Sequence, residues 1–274
     1  MSNFTFHDIS YAQGAYNMAA DPNPVIAMKM SGFYYGSKVG YIDTQAASNY
    51  NNAVKYGKVP ILYHFAGGGD PTKEAQYFIQ ACSPLANGDI YALDYELTAS
   101  MNPPANPVAW CLQFVETVHQ LTGAWPLFYT YASMLTEYDW SPVLQNCALW
   151  VADYAVSPDG TVPTNGHPYI IQQYTDSPID TNASFISLDT LKKYAHGYQP
   201  PATTPPAPTP VPVPTPTPTP PSPTPEPTPA PTPPVVTPPV TPPVSPPTSD
   251  TPIVVKRSLL TKILNWLKLL ISFK

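Results

Sequence analysis

Two acidic residues one position apart close an apolar run, Ile90-Tyr91-Ala92-Leu93-Asp94-Tyr95-Glu96. The run reads as a strand, and in a strand residues i and i+2 share a face. Asp94 and Glu96 therefore project together, with Cα atoms about 6.5–7 Å apart. Two carboxylates on one face raise each other's pKa, so one of them keeps its proton closer to neutral pH than a solvated acid does. Protonation of a glycosidic oxygen requires that state. A third carboxylate, Asp8, lies near the end of the first apolar run, Phe6-His7-Asp8-Ile9-Ser10. A D-x-E facing solvent at a strand end has the same sequence, so the spacing alone leaves open what the acids do.

The elements that must hold these acids alternate in type. Apolar runs predict strands at Thr5–Ile9, Val25–Lys29, Val59–Phe65, Ile90–Tyr95, Pro126–Thr130, Ala148–Ala152, Tyr169–Tyr174 and, more weakly, Phe185–Leu188. Asp70 and Asn106 are each followed by proline, which is the signature of a capped helix start. Ala75, Phe78, Ile79 and Cys82 then keep helical spacing, as do Val108, Cys111, Leu112, Val115 and Val118 before Gly123. Strand–helix–strand repeats give parallel strands with helical crossovers. The late strands start only about 16–22 residues apart, too close for full helices. The expectation is a flattened, incomplete (β/α)8 barrel over residues 1–199, shorter than the ~250 residues of the full form. Asp8, Asp94 and Glu96 would then sit at the C-terminal strand ends, where such barrels carry their chemistry.

The remainder of the 274 residues differs in kind. Of 40 prolines, 26 fall in residues 200–252, a Thr-Pro and Pro-Pro tract that predicts an extended linker with no core. Residues 253–274 carry five basic and no acidic residues among Leu, Ile, Trp and Phe. At helical spacing these form a cationic amphipathic helix expected to lie on an anionic membrane surface. Residues 1–199 hold seven Lys, no Arg and sixteen acids, a net charge of −9. That charge argues against nucleic acid as a partner. Cys82, Cys111 and Cys147 match no metal ribbon or CxxC spacing, and no HxxxH occurs, so neither a disulfide framework nor a metal or other cofactor is expected. The opening MSNFTFHDIS has no basic or strongly apolar stretch, so no secretion signal is expected.

A series of motifs gives the acids a context. Asp8-Ile9-Ser10-Tyr11-Ala12-Gln13-Gly14, Val59-Pro60-Ile61-Leu62-Tyr63-His64-Phe65, Glu74-Ala75-Gln76-Tyr77-Phe78 and Leu93-Asp94-Tyr95-Glu96 follow one another. Pro126-Leu127-Phe128-Tyr129-Thr130, Leu149-Trp150-Val151-Ala152-Asp153-Tyr154 and Gln173-Tyr174-Thr175-Asp176 come next, with Asp180 and Asp189 beyond. In this order the chain resembles glycoside hydrolase family 25, the N-acetylmuramidases of phage endolysins and bacterial autolysins, from about Phe6 to Tyr194. The resemblance implies cleavage of the β-1,4 bond between N-acetylmuramic acid and N-acetylglucosamine in bacterial peptidoglycan. It implies Glu96 as general acid, Asp94 as its assistant on the same face, Asp8 as a modulating carboxylate and Asp189 as a fourth. Tyr63, Tyr129, Trp150, Tyr154 and Gln173 would line the substrate groove, and His64 would be a hydrogen-bonded core or rim residue.

Two positions depart from the family pattern. Lys29-Met30-Ser31-Gly32-Phe33 lacks the glutamate of the family's Lys-Ala-Thr-Glu-Gly, and Gln172-Gln173-Tyr174 lacks the tryptophan of its Trp-Gln-Tyr. A chitinase signature fails because Ala92 stands where it needs a carboxylate and Ile90 where it needs glycine. A non-catalytic wall-binding protein on the same barrel is the alternative, against which the three retained acids speak. The resemblance, without a secretion signal, implies an endolysin held in the host cytoplasm or at the inner membrane before it acts on the wall.

Overall fold

A ring of eight strands builds the molecule, seen in a computed structural model that describes residues 2–200. The expected proline linker beyond Pro200 and the amphipathic tail lie outside the described residues. In chain order the strands are β1 (Phe4–Ile9), β2 (Val25–Phe33), β3 (Gly40–Ile42), β4 (Val59–Phe65), β5 (Ile90–Asp94), β6 (Leu127–Tyr131), β7 (Leu149–Ala152), β8 (Tyr169–Thr175) and β9 (Thr181–Ser184). The ring runs β1-β2-β4-β5-β6-β7-β8-β9 and closes on β1, while β3 hangs antiparallel on β2. Every pair in the ring is parallel except those of β9, which is antiparallel to both β8 and β1. The α/β barrel expected from the sequence is present.

The last strand corrects the expectation of Phe185–Leu188. Only a short connection separates β8 from β9, enough for a hairpin turn but not for a parallel crossover. Thr181-Asn182-Ala183-Ser184 is small and polar, without the apolar run that marks the other strands. Its side chains pair with buried polar groups, a use that hydrophobic patterning does not detect.

The helices are α1 (Ala46–Lys55), α2 (Pro71–Ala81), α3 (Pro107–Thr122), α4 (Ala132–Glu137), α5 (Ser141–Leu144) and α6 (Leu188–Leu191). Asp70 Oδ1 accepts from the Lys73 amide at 3.2 Å and Asn106 Oδ1 from the Ala109 amide at 3.0 Å, so both expected caps form. Gly123 ends α3 at φ +75°, which its missing side chain permits. The buried face of α3 is rotated from the one expected. Trp110 and Phe114 join Cys111, Val115 and Val118 inside, while Val108 and Leu112 are only half-buried. The aromatic rings stack against His64 and Tyr95, and that packing outweighs the aliphatic stripe. Late helices are short, as the spacing demanded, and no helix stands between β7 and β8.

Alternation divides each strand between two cores. Tyr91 and Leu93 face the helices, while Ile90 and Ala92 face the barrel interior with Phe6, Ala27, Ile61, Leu127 and Ile171. All three cysteines are buried free thiols.

Candidate active site

On five of the parallel strands the inward register starts apolar at the bottom and ends in a polar group at the top. On β5 the series Ile90, Ala92 continues to Asp94 at the strand end. Phe6 on β1 is followed by Asp8, Ala27 on β2 by Lys29, and Leu127 on β6 by Tyr129. Ile171 on β8 is followed by Gln173. These tops converge on a cleft of about 300 Å³. Asp8, Asp94, Glu96, Tyr63, Tyr129, Trp150, Tyr154 and Gln173 all line it. The barrel thus brings together eight of the nine side chains singled out in the sequence.

Asp189 does not join them. It sits exposed in the first turn of α6. Because β9 runs antiparallel, its end at Ser184 pairs with Phe4 at the start of β1. The chain has by then returned to the opposite end of the barrel. The further carboxylates that line the cleft are Asp176, just after β8, and Asp180, which immediately precedes β9. The Asp180 backbone carbonyl accepts from the Asp8 amide at 3.1 Å.

Packing outside the barrel aims the central pair. Tyr95, between the two acids, points the other way and lies buried between Trp110 and Trp140, with ring centroids 5.8 Å from each. The Tyr95 amide donates to the Tyr129 carbonyl at 2.9 Å, and Tyr131 donates to the Glu96 carbonyl at 3.0 Å. Glu96 is thereby held past the strand end in line with Asp94. Asp94 Oδ1 is buried and meets no protein donor among the described residues. Asp94 and Glu96 lie close enough for their side chains to share a hydrogen bond when one of them holds a proton. Burial raises the pKa of each, and the Glu96 charge raises Asp94 further. The pair titrates as a unit.

Asp8 is the organised member. Its Oδ2 accepts from Gln173 Nε2 at 2.9 Å and from Asn182 Nδ2 at 2.7 Å. Gln173 Oε1 in turn accepts from Tyr129 at 2.9 Å and Tyr154 at 2.7 Å, which fixes its amide orientation. Trp150 Nε1 does the same for Asn182, donating to Oδ1 at 2.8 Å. Burial raises the Asp8 pKa, and the two amide donors pull it back. Asp180 is pushed up to about 7 by burial and by the nearby Asp8 and Asp176 charges. Lys29 is the only cation lining the cleft among the described residues, and its ammonium lies 4.4 Å above the Phe65 ring. Its charge opposes the rise at Asp8, Asp94, Glu96 and Asp180.

Lys29, Asp180 and Asn182 were not picked out as site residues by sequence reasoning. Lys29 could have been found from its place at the top of an inward-facing register. Asn182 gives no signal, since its strand is visible only through its pairing. His64 is buried: Nδ1 bonds Ser31 Oγ at 2.9 Å and Nε2 lies 3.3 Å from Glu74 Oε2. Glu74 also caps the Gly67 and Gly69 amides, at 2.8 and 2.7 Å. The two departures from the family pattern fall where other groups take up the space. A Cβ on Gly32 would come within 2.5 Å of the Tyr41 hydroxyl, so that ring occupies the place of a longer side chain. Gln172 points away from the cleft and donates to the Asp153 and Val156 carbonyls at 3.1 and 2.6 Å, tying down the loop that carries Tyr154.

The family described as glycosyl hydrolases family 25 matches residues 7–182, which span β1 to β9 and every group in the cleft. The chain belongs to family 25. An N,O-diacetylmuramidase from a Chalaropsis species is 34% identical to this family 25 chain, over 49% of it and 71% of the relative. Among solved structures, a family 25 lysozyme from Aspergillus fumigatus is 25% identical with a TM-score of 0.56, covering 71% of this chain and all but 1% of its own. The catalytic domain of an endolysin from a bacteriophage of Listeria monocytogenes is 27% identical with a TM-score of 0.57, over 71% of this chain and 97% of that domain. As a member of the family, the chain is a glycoside hydrolase.

Proposed function

We propose that this family 25 enzyme cleaves the β-1,4 bond between N-acetylmuramic acid and N-acetylglucosamine in bacterial peptidoglycan. The observation that carries the reading is the pair of buried Asp94 and half-buried Glu96, opening on a cleft lined by tyrosines and a tryptophan. Glu96 is the less buried of the two and delivers the shared proton to the leaving glycosidic oxygen. Asp94, left ionised, and Asp8, held in place by Gln173 and Asn182, offset the positive charge that develops at the anomeric carbon. Tyr63, Tyr129, Trp150 and Tyr154 supply apolar ring faces with polar edges, which suit sugar rings. The cluster argues against a pure binding protein, because buried like charges cost stability that binding neutral sugars does not require.

The full chain is tested on purified peptidoglycan, with mass analysis of the borohydride-reduced fragments. New reducing ends are expected on muramic acid; glucosamine ends overturn the bond assignment. Glu96→Gln is expected to lower the rate at least ~10²-fold, the contribution of general acid catalysis. The similarity to a phage endolysin domain supports a role in lysis of a bacterial host. In that role the basic segment 253–274 binds the anionic membrane surface and the proline tract spaces it from the barrel. Co-sedimentation of the chain with phosphatidylglycerol vesicles, compared with a chain ending at residue 200, checks this.

A further inference from the structure

Ten large apolar or aromatic side chains stay exposed among the described residues, and four of them, Tyr34, Tyr35, Val39 and Ile42, belong to the hairpin formed by β2 and β3. Closure of the barrel does not require β3, which pairs only with β2. The turn of the hairpin is nevertheless well held. The Tyr34 amide donates to the Val39 carbonyl at 3.2 Å and the Ser37 amide to the Tyr34 carbonyl at 2.9 Å. The Gly36 amide reaches the Gly67 carbonyl, in the loop after β4, at 2.7 Å. A Cβ on Gly36 would lie 3.3 Å from Asn102 Nδ2, in the loop after β5. The turn therefore rests on the loops that leave the C-terminal strand ends, beside the carboxylates.

The two tyrosines at this turn adjoin the cleft without lining it. The Tyr35 ring meets Phe65 edge-on with centroids 5.8 Å apart, and Phe65 lines the cleft under the Lys29 ammonium. The Tyr34 ring packs 5.0 Å from Tyr41, the ring that fills the space beside Gly32. Tyr34 remains 60% and Tyr35 46% exposed. The Tyr35 phenol is raised by burial first and then by the Glu96 and Asp94 charges, in keeping with its place beside the acids. On the far side of the cleft Tyr154 is 52% exposed. Exposed aromatic rings therefore flank the cleft on both sides.

A polymeric substrate needs such flanks. A cleft of about 300 Å³ is at the lower end of what encloses a drug-sized ligand, so most of a glycan strand must lie outside it. Tyrosine offers a flat apolar face and a hydroxyl at little entropic cost, and a pyranose ring offers a matching face of C–H groups with hydroxyls at its edge. We propose that Tyr35, with Tyr34 beside it, forms a sugar-binding platform outside the cleft. It holds a ring of the same glycan strand at least one unit from the bond that is cut. This rests on the muramidase reading above.

The test compares hydrolysis by the full chain of peptide-free peptidoglycan glycan strands, two disaccharides long and eight disaccharides long. The wild type is expected to show a lower KM for the long strands. Substituting Tyr34→Ala and Tyr35→Ala together should raise that KM about threefold to tenfold, with kcat retained and the short strands unaffected. Tyr35→Phe keeps the ring and should keep the length preference. An equal change on both lengths, or no change on either, overturns the platform. A wild-type chain inert on both lengths overturns the muramidase reading and the platform with it.

Discussion

Lys29 and Asp180 act on Glu96 with opposite sign. The Lys29 charge favours the ionised forms of Asp8, Asp94, Glu96 and Asp180. Its removal in Lys29→Met raises all four pKa values, so both limbs of the pH–rate profile should move up by about 0.5–1 pH. The Asp180 charge raises Glu96. Asp180→Asn should therefore move the alkaline limb down, and the acid limb hardly at all, because Asp180 itself ionises only near pH 7. Profiles of kcat/KM on soluble glycan strands read both shifts. Asp94 bears on stability as well. Its folded pKa lies well above the unfolded value, so the folded chain binds more protons and loses stability as pH rises from about 4 through the folded pKa. Asp94→Asn removes that cost and should add about 1–2 kcal/mol at pH 7 and almost nothing below pH ~4, while activity collapses. Urea unfolding at the two pH values checks it. The D-x-E pairing was legible in the sequence because a strand period of two puts i and i+2 on one face. Lys29 and Asp180 as its counterweights were not, since their distances from the pair follow from ring closure.

At the scale of elements, a buried polar clasp joins β4 to α2. Glu74 at the start of α2 holds the Gly67 and Gly69 amides and faces His64 on β4, whose ring stacks 5.3 Å from Phe114 of α3. Burial lowers the His64 pKa, and the ring does not line the cleft. Glu74→Ala strands two backbone donors and should cost about 3–5 kcal/mol, read as a lower urea midpoint with unchanged slope. The pH profile of the remaining activity should stay in place, which separates this residue from the acids. The capped helices α2 and α3 were legible because Asp-Pro and Asn-Pro are local signals. The β2–β3 hairpin, α1 and β9 were not. Each is short or polar and gains its stability from a neighbour already in place, and hydrophobic periodicity does not register that.

For the whole molecule, the ring closes through the antiparallel β9, whose Asn182 donates to Asp8 of β1 alongside Gln173 of β8. Everything that makes the cleft lies within residues 8–182, inside the span matched to family 25. A chain ending at residue 200 should unfold at the same urea concentration as the full chain and cut soluble glycan strands at the same rate. It should lose only vesicle binding. A lower midpoint for the shortened chain would show that the proline tract or tail contributes to the fold.

The aromatic lining was legible only through the resemblance to family 25, whereas the sequence by itself determined the barrel class, the strand that ends at Asp94 with Glu96 two positions on, and the break in composition at the proline tract. These are properties of local spacing: period two in strands, period 3.6 in helices, and residue types that tolerate only certain neighbours. The tertiary structure decided which of the later carboxylates reach the cleft. Asp180 and Asp189 are nine positions apart, both follow β8, and nothing in their local context ranks one above the other. The antiparallel turn of β9 leaves Asp180 at the cleft and carries Asp189 to the other end of the barrel, because strand direction is set by pairing with β8 and β1 and not by the residues of β9 alone.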